Sequence, residues 1–518
     1  MQNNPNASPV DPAVDHEVII VGAGFAGMGA AIKLKELGID DFVVLERRED
    51  VGGTWRDNTY PGVGVDIPSF TYSYHFEQNP RWSRVFAPGA ELMQYAIDVA
   101  DKYGLRPHLR FGVAVSIAEF DDANHRWVLT LDSETRLTSR FLISCHGVLV
   151  TPLQPNIAGL DQFEGKILRS ASWDHDYDVS HKRVAVIGTG ASALQIIPTI
   201  APETAHLDVY QRTPIWVIPK INPPIPALVQ WLFANVPLLQ SAIRLATTAA
   251  SDGTVILGAV YHRQLPLLAK AIESVCRVQL RIQVRDSETR AALTPKYAFG
   301  CKRPSFSNMY LRAFNRDDVS LVTDPIARVT NDGIVTASGE HRAADAIVLA
   351  TGFKVFDVPY AIRGVDGTDL EQLWENDRKQ AYQGSTLPQF PNLFLVPGPY
   401  GVSGASWFGT IDLGVTHAAR VIDAARRRGA TKVAPTPAAH EQFLQTTLQR
   451  VEREVFKSPA CVGSNSYYTD EHGDAPFLRP SLGLFSWFSV RFFRRSDYAF
   501  DRLSQRQTTP AHREAATA

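Results

Sequence analysis

Cysteine is scarce in this sequence and nowhere clustered. Cys145, Cys276, Cys301 and Cys461 are spread over 518 positions. They form no C-x-x-C pair and no metal-ligand spacing, which excludes a redox-dithiol reductase and leaves no expected metal site. The scatter fits a reducing compartment, so the expected location is cytoplasmic. An excess of one charge is also lacking. The 52 Lys and Arg stand against 54 Asp and Glu, a net charge of −2, which gives no support for a nucleic-acid partner. Residues 1–16 are polar and proline-containing, without the apolar core of a signal peptide, and read as a disordered leader. The longest uncharged run, Ile221 to Ile243, is interrupted by Pro223, Pro224, Pro226 and Pro237 and carries Gln230, Asn235 and Gln240. That composition argues against stable membrane insertion and for helices of a buried or tunnel-lining cap. The segment Phe485 to Arg495 could lie on a lipid surface; its plainer reading is a docked C-terminal segment. No Ser/His/Asp order or paired-carboxylate motif suggests hydrolysis.

Two glycine-rich loops are present instead. The first follows an apolar strand and reads Val18-Ile-Ile-Val-Gly22-Ala-Gly24-Phe25-Ala26-Gly27, a G-x-G-x-x-G pattern. The second reads Val184-Ala-Val-Ile-Gly188-Thr189-Gly190-Ala191-Ser192-Ala193, the G-x-G-x-x-A variant. Each opens a helix, whose N-terminus suits a pyrophosphate. The residues closing the two units differ in charge. Glu46 ends the strand Phe42 to Glu46, while Arg212 ends Leu207 to Arg212, followed by Thr213. A carboxylate there accepts from a ribose 2′-OH, whereas an arginine pairs with a 2′-phosphate. The first unit is therefore expected to hold an unphosphorylated adenosine cofactor and the second NADPH, as in a flavoprotein that NADPH reduces.

A chain of this length suggests two or three domains. The expected class is α/β, with two Rossmann-like dinucleotide-binding domains and a helical insertion in the second. The first domain is placed at 17–150 plus 375–518, the second at 151–220 plus 296–374, and the insertion at 221–295. Pro152 to Asp176 reads as a connector. Strands are expected at Trp127–Leu131, Phe141–Ser144, Val319–Val322 and Ile347–Ala350.

Further segments resemble the class B flavoprotein monooxygenases of the Baeyer–Villiger type, from about residue 17 to the end. Gly52-Gly53-Thr54-Trp55 is similar to the family's flavin-side loop, and Tyr60-Pro-Gly-Val-Gly-Val-Asp66-Ile-Pro-Ser69 to its Y-P-G-x-x-x-D-x-P-S segment. Cys301-Lys302-Arg303-Pro304 looks like the segment bearing the family's active-site arginine. Ala350-Thr-Gly-Phe353 resembles the A-T-G that closes the nucleotide module, and Gly398 to Phe408 the flavin-covering region. One departure stands out against the fingerprint F-x-G-x-x-x-H-x-x-x-W-[P/D]. In Phe163-Glu-Gly165-Lys-Ile-Leu-Arg169-Ser-Ala-Ser-Trp173-Asp174, arginine replaces the histidine.

The resemblance implies FAD and NADPH as cofactors and a ketone-to-ester or ketone-to-lactone oxygenation by O2 through a C4a-peroxyflavin. It implies that Arg303 supplies the fixed positive charge such an anion needs, and that Asp66 holds the arginine. Lys302 reads either as a second phosphate contact or as a solvated neighbour. Trp55 reads as a packed residue beside the cofactors, and the role of His146 is open. The expected substrate is a small-molecule apolar ketone, whether cyclic, steroid-like or long-chain, in a roomy pocket suggested by the insertion, Trp407 and Phe408. The alternatives are a heteroatom (N or S) oxygenase and an uncoupled NADPH oxidase or reductase.

Overall fold

The computed structural model describes residues 14–404, 406–470 and 472–503. The leader expected over 1–16 lies outside these up to Ala13, and His16 already opens the first strand.

Short runs of valine, isoleucine and leucine form parallel strands buried on both faces, which is why they read as continuous apolar stretches rather than alternating ones. His16–Val21 pairs in parallel with Phe42–Leu45 on one side, Val18 beside Phe42, and with Arg136–Ser144 on the other, Val18 beside Phe141. An antiparallel meander through Val115–Asp121 and Arg126–Leu131 widens this eight-stranded first sheet. Two late segments complete it: Ala361–Arg363 alongside Val115–Asp121, and Leu393–Leu395 alongside Arg136–Ser144. The chain thus returns to the first sheet at Ala361, ahead of the expected residue 375.

The second sheet is wholly parallel, in the order Val319–Val322, His206–Tyr210, Arg183–Ile187, Ala346–Leu349 and Lys166–Arg169. Lys166–Arg169 falls inside the stretch read as a connector. As a four-residue edge strand it carries too short a pattern to be distinguished from a loop. Where the chain passes between the two sheets, Leu149–Pro152 pairs antiparallel with Phe353–Val355.

The insertion is helical: Ala227–Asn235, Pro237–Ala259, Pro266–Gln283 and Ser287–Ala292. The burial expected of Ile221 to Ile243 as a buried or tunnel-lining cap holds on one side only, where Phe233 and Gln240 are buried. Leu228, Trp231, Leu238 and Leu245 are 69%, 59%, 82% and 72% exposed. Uncharged sequence reports composition, not which side of a helix a neighbour covers. Among the described residues no helix is long and apolar enough to cross a membrane.

Candidate active site

The first glycine loop is held by close backbone packing. A Cβ on Gly22 (φ +102°) would lie 2.6 Å from the Cys145 carbonyl oxygen, and one on Gly27 would lie 1.8 Å from that of Gly22. Only glycine permits either approach. Glu46 is buried at the end of its strand, accepting from the Ala23 N–H at 2.7 Å and the Arg48 N–H at 2.9 Å. The carboxylate therefore also fastens the strand end to the loop. The segment from Gly52 docks on the same loop, Gly52 N–H donating to the Ala23 carbonyl at 3.2 Å. Gly53 caps the short helix Thr54–Asp57 and faces Gly24, so that a Cβ on Gly53 would sit 3.0 Å from the Gly24 Cα. Phe25 turns inward, its ring 4.7 Å from that of Phe408, with Ala26 buried beside it. Phe408, expected to line a pocket, is 2% exposed and belongs to this core. Trp55 packs edge-on against Tyr72 and donates its indole N–H to the Tyr72 hydroxyl at 3.2 Å.

The second loop repeats the device. A Cβ on Gly188 (φ +118°) would meet the Ala350 carbonyl oxygen at 2.4 Å, whereas one on Gly190, at the start of the helix Ala191–Ile200, would meet nothing within 4 Å. The space before that helix N-terminus is open. Ala191 is exposed and Ser192 half-buried at its mouth. The Thr189 hydroxyl donates to the Thr213 carbonyl at 3.0 Å, tying the loop to the strand end that presents exposed Arg212. Lys302 lies near enough to Arg212 for the two positive charges to repel. Burial first, then Arg212, depress the Lys302 ammonium to about 8. Two cations crowded at the end of a dinucleotide-binding strand are suited to an anion between them.

Arg303 and Asp66, distant in sequence, meet in a two-point ion pair. Arg303 Nη2 lies 2.9 Å from Oδ1 and 2.8 Å from Oδ2, and Nε lies 3.2 Å from Oδ2. The Asp66 carboxylate is the largest cause holding the guanidinium well above its ordinary range, with Tyr467 and Tyr468 adding to it. The arginine side chain retains 36% exposure and Asp66 21%, so the pair is open on one side.

Several residues of this region have no motif to announce them. Gln195, from the second unit's first helix, accepts from the Tyr60 hydroxyl at 3.1 Å and donates to the Gly64 carbonyl at 2.8 Å. Lys220 donates to the Val65 carbonyl at 3.1 Å. Asn465 donates to the Thr213 hydroxyl at 2.8 Å. These contacts bracket Asp66 and Thr213, and the signal for each is spatial alone. Arg169 is half-buried at the end of its edge strand. The flanking fingerprint residues have structural contacts: Phe163 lies against Gly165, and Asp174 pairs with Lys166. His146 is half-buried, its Nδ1 2.7 Å from the Ser144 hydroxyl, and desolvation presses its pKa down to about 4.

The cysteine reading needs correction. Cys301 and Cys461 form a disulfide across 160 residues, while Cys145 and Cys276 are free and buried. Motif spacing finds only pairs close in sequence, whereas this one depends on the C-terminal chain returning to the Arg303 loop. The scatter of cysteines therefore no longer argues for a reducing compartment. No group of three or more His, Cys, Asp or Glu among the described residues could hold a metal ion.

Comparison with known proteins agrees with this architecture. A family model described as pyridine nucleotide-disulphide oxidoreductase matches residues 19–235. The chain is 38% identical over 466 residues to a Baeyer–Villiger monooxygenase of Streptomyces coelicolor, covering 88% of this chain and 87% of that protein. It is 36% identical over 469 residues to one of Pseudomonas aeruginosa, covering 89% and 88%. Among solved structures, cyclohexanone monooxygenase from Rhodococcus sp. Phi1 bound to NADP+ superposes with a TM-score of 0.84 at 25% identity, over 94% of this chain and 99% of that one. An oxidized steroid monooxygenase bound to NADP does so at 0.81 and 29%, over the same shares. The two-dinucleotide fold and these likenesses define a flavoprotein monooxygenase. Within that class the chain belongs to the Baeyer–Villiger monooxygenase family.

Proposed function

We propose that this chain is an NADPH- and O2-dependent FAD enzyme that converts ketones to esters or lactones. The observation that carries the reading is the Arg303–Asp66 pair, a charge fixed at two points and exposed on one side. FAD fits the first unit, where Gly22, Gly24 and Gly27 let backbone approach, Gly53, Thr54 and Trp55 form the facing wall, and Glu46 offers acceptors to a ribose. NADPH fits the second, with Gly188, Thr189, Gly190, Ala191 and Ser192 around the open helix N-terminus and Arg212, Thr213 and Lys302 around the 2′-phosphate. Bound FAD supplies hydride acceptance and oxygen activation.

The chain's own residues then have distinct tasks. Arg303 holds a positive charge where negative charge develops, and Asp66 keeps its fork oriented. Because the Asp66 charge favours the protonated guanidinium, Arg303 moves no proton; it acts by field and donors. An uncharged, apolar ketone is the substrate class we favour, with the carbonyl as the group attacked. Purified holoprotein should be yellow and should consume NADPH, O2 and ketone in equal amounts with ester formed. Oxidation of amines or sulfides without ester would favour heteroatom oxygenation, and NADPH use matched by H2O2 an uncoupled oxidase.

A further inference from the structure

The C-terminal helix Gly483–Arg491 has two unlike faces. Ser486 and Val490 are buried, and the Ser486 hydroxyl lies 2.7 Å from those of Ser403 and Ser481. The other face carries Leu484, Phe485 and Phe488, with Phe492 just past its end; these are 64%, 61%, 48% and 70% exposed. Positions i, i+1, i+4 and i+8 lie on one side of a helix, so they form a single apolar stripe. Arg494 and Arg495 follow, both exposed, and the Arg491 guanidinium stacks 4.4 Å over Trp487. The sequence from Ala475 to Ser496 contains no Asp or Glu. No carboxylate pairs with these three arginines among the described residues.

The stripe extends onto the insertion. Asp252, on the helix Pro237–Ala259, reaches 3.5 Å from the Cβ position of Gly483. Leu245 and Leu238 precede it at seven-residue intervals, the same side of that helix, and are 72% and 82% exposed. The neighbouring helix Ala227–Asn235 also exposes large apolar side chains, Leu228 and Trp231. From Ile221 to Ser251 the only charged residue is Arg244, which is turned inward to the Phe70 and Ser73 carbonyls at 2.9 Å each.

We propose that this face is a docking surface for an anionic lipid bilayer. Large apolar side chains would enter the headgroup boundary, and the unpaired arginines at its edge would meet lipid phosphates. A second copy of this chain docking by the same face would set its own arginines against Arg494 and Arg495, and the one acid placed on this face, Asp252, is half-buried against Gly404 and Gly483. The attachment is peripheral, because no described helix can cross a membrane. It does not depend on the substrate or the oxygenation chemistry.

Sedimentation of the holoprotein with vesicles tests this. Vesicles containing phosphatidylglycerol should carry the protein down, and phosphatidylcholine vesicles should do so far less. High salt should weaken the difference, because the arginine contribution is screened. Arg494→Gln with Arg495→Gln should lower affinity for the anionic vesicles about thirtyfold, and Phe488→Ser with Phe492→Ser should abolish pelleting. Each variant should keep the wild-type flavin spectrum and detergent-free NADPH oxidation, which excludes misfolding. Equal binding to both vesicle types, or no binding by a protein that elutes as a monomer, overturns the proposal. So does a dimer that the Phe488→Ser, Phe492→Ser variant dissociates while vesicles compete for nothing.

Discussion

Arg303 shows how one side chain's setting decides its use. Alone on a loop it would be a solvated cation, but two-point contact with Asp66 fixes both its charge and its orientation. Arg303→Ala should still bind FAD and oxidise NADPH, yet form ester at least about 100-fold more slowly, the usual cost of deleting a preorganised donor. Product analysis beside NADPH consumption checks this; ester at the wild-type rate would remove Arg303 from the chemistry. Asp66→Ala should lose less, since the guanidinium keeps its charge. Lys302 makes a pH prediction. Its pKa is lowered to about 8, so it is charged below that pH and neutral above. If it pairs with the 2′-phosphate, the KM for NADPH should be flat below about pH 8 and rise above it, with NADH use unaffected. Lys302→Met should raise the NADPH KM and flatten the profile; an unchanged profile would leave Lys302 a bystander.

At the scale of elements, the strand–loop–helix units follow from local chemistry, and the segments laid over them from long-range closure. The disulfide joins the loop bearing Lys302 and Arg303 to the segment carrying Asn465, Tyr467 and Tyr468. Closing so long a loop restrains the unfolded chain, so Cys461→Ser should cost about 2–4 kcal/mol of stability. It should also raise the NADPH KM, because Asn465 would no longer be held against Thr213. Melting curves and kinetics with and without reductant check both: wild-type protein should shift on reduction and the variant should not.

At the scale of the whole molecule, one buried acid contributes a definite pH dependence to stability. Glu454 is fully buried, both carboxylate oxygens lack a hydrogen-bond partner among the described residues, and burial raises its pKa well above 4.5. As pH climbs past 4.5 the unfolded chain ionises this group while the folded chain keeps it neutral. Stability therefore falls by up to about 1.4 kcal/mol per pH unit until the folded pKa is reached. Glu454→Gln should remove that decline and melt higher than wild type near pH 7, with the difference vanishing near pH 4. A variant less stable at neutral pH would show that the carboxylate has a partner in solution.

What the amino-acid order determined by itself is the part governed by neighbours along the chain. A strand of valine and isoleucine, glycines where a Cβ would strike a carbonyl, and a charged residue at the next strand's end specify each dinucleotide unit within a few dozen positions. The motifs around Asp66 and Arg303 were legible as separate segments for the same reason. Only tertiary structure decided that Asp66 and Arg303 touch, that Lys302 crowds Arg212, and that Cys301 bonds Cys461. It alone decided that Gln195 reaches Gly64, that Ala361–Arg363 rejoins the first sheet, and that the insertion turns Leu228, Leu238 and Leu245 outward. Those contacts join residues tens to hundreds of positions apart, and periodicity and spacing carry no record of the path the chain takes between them.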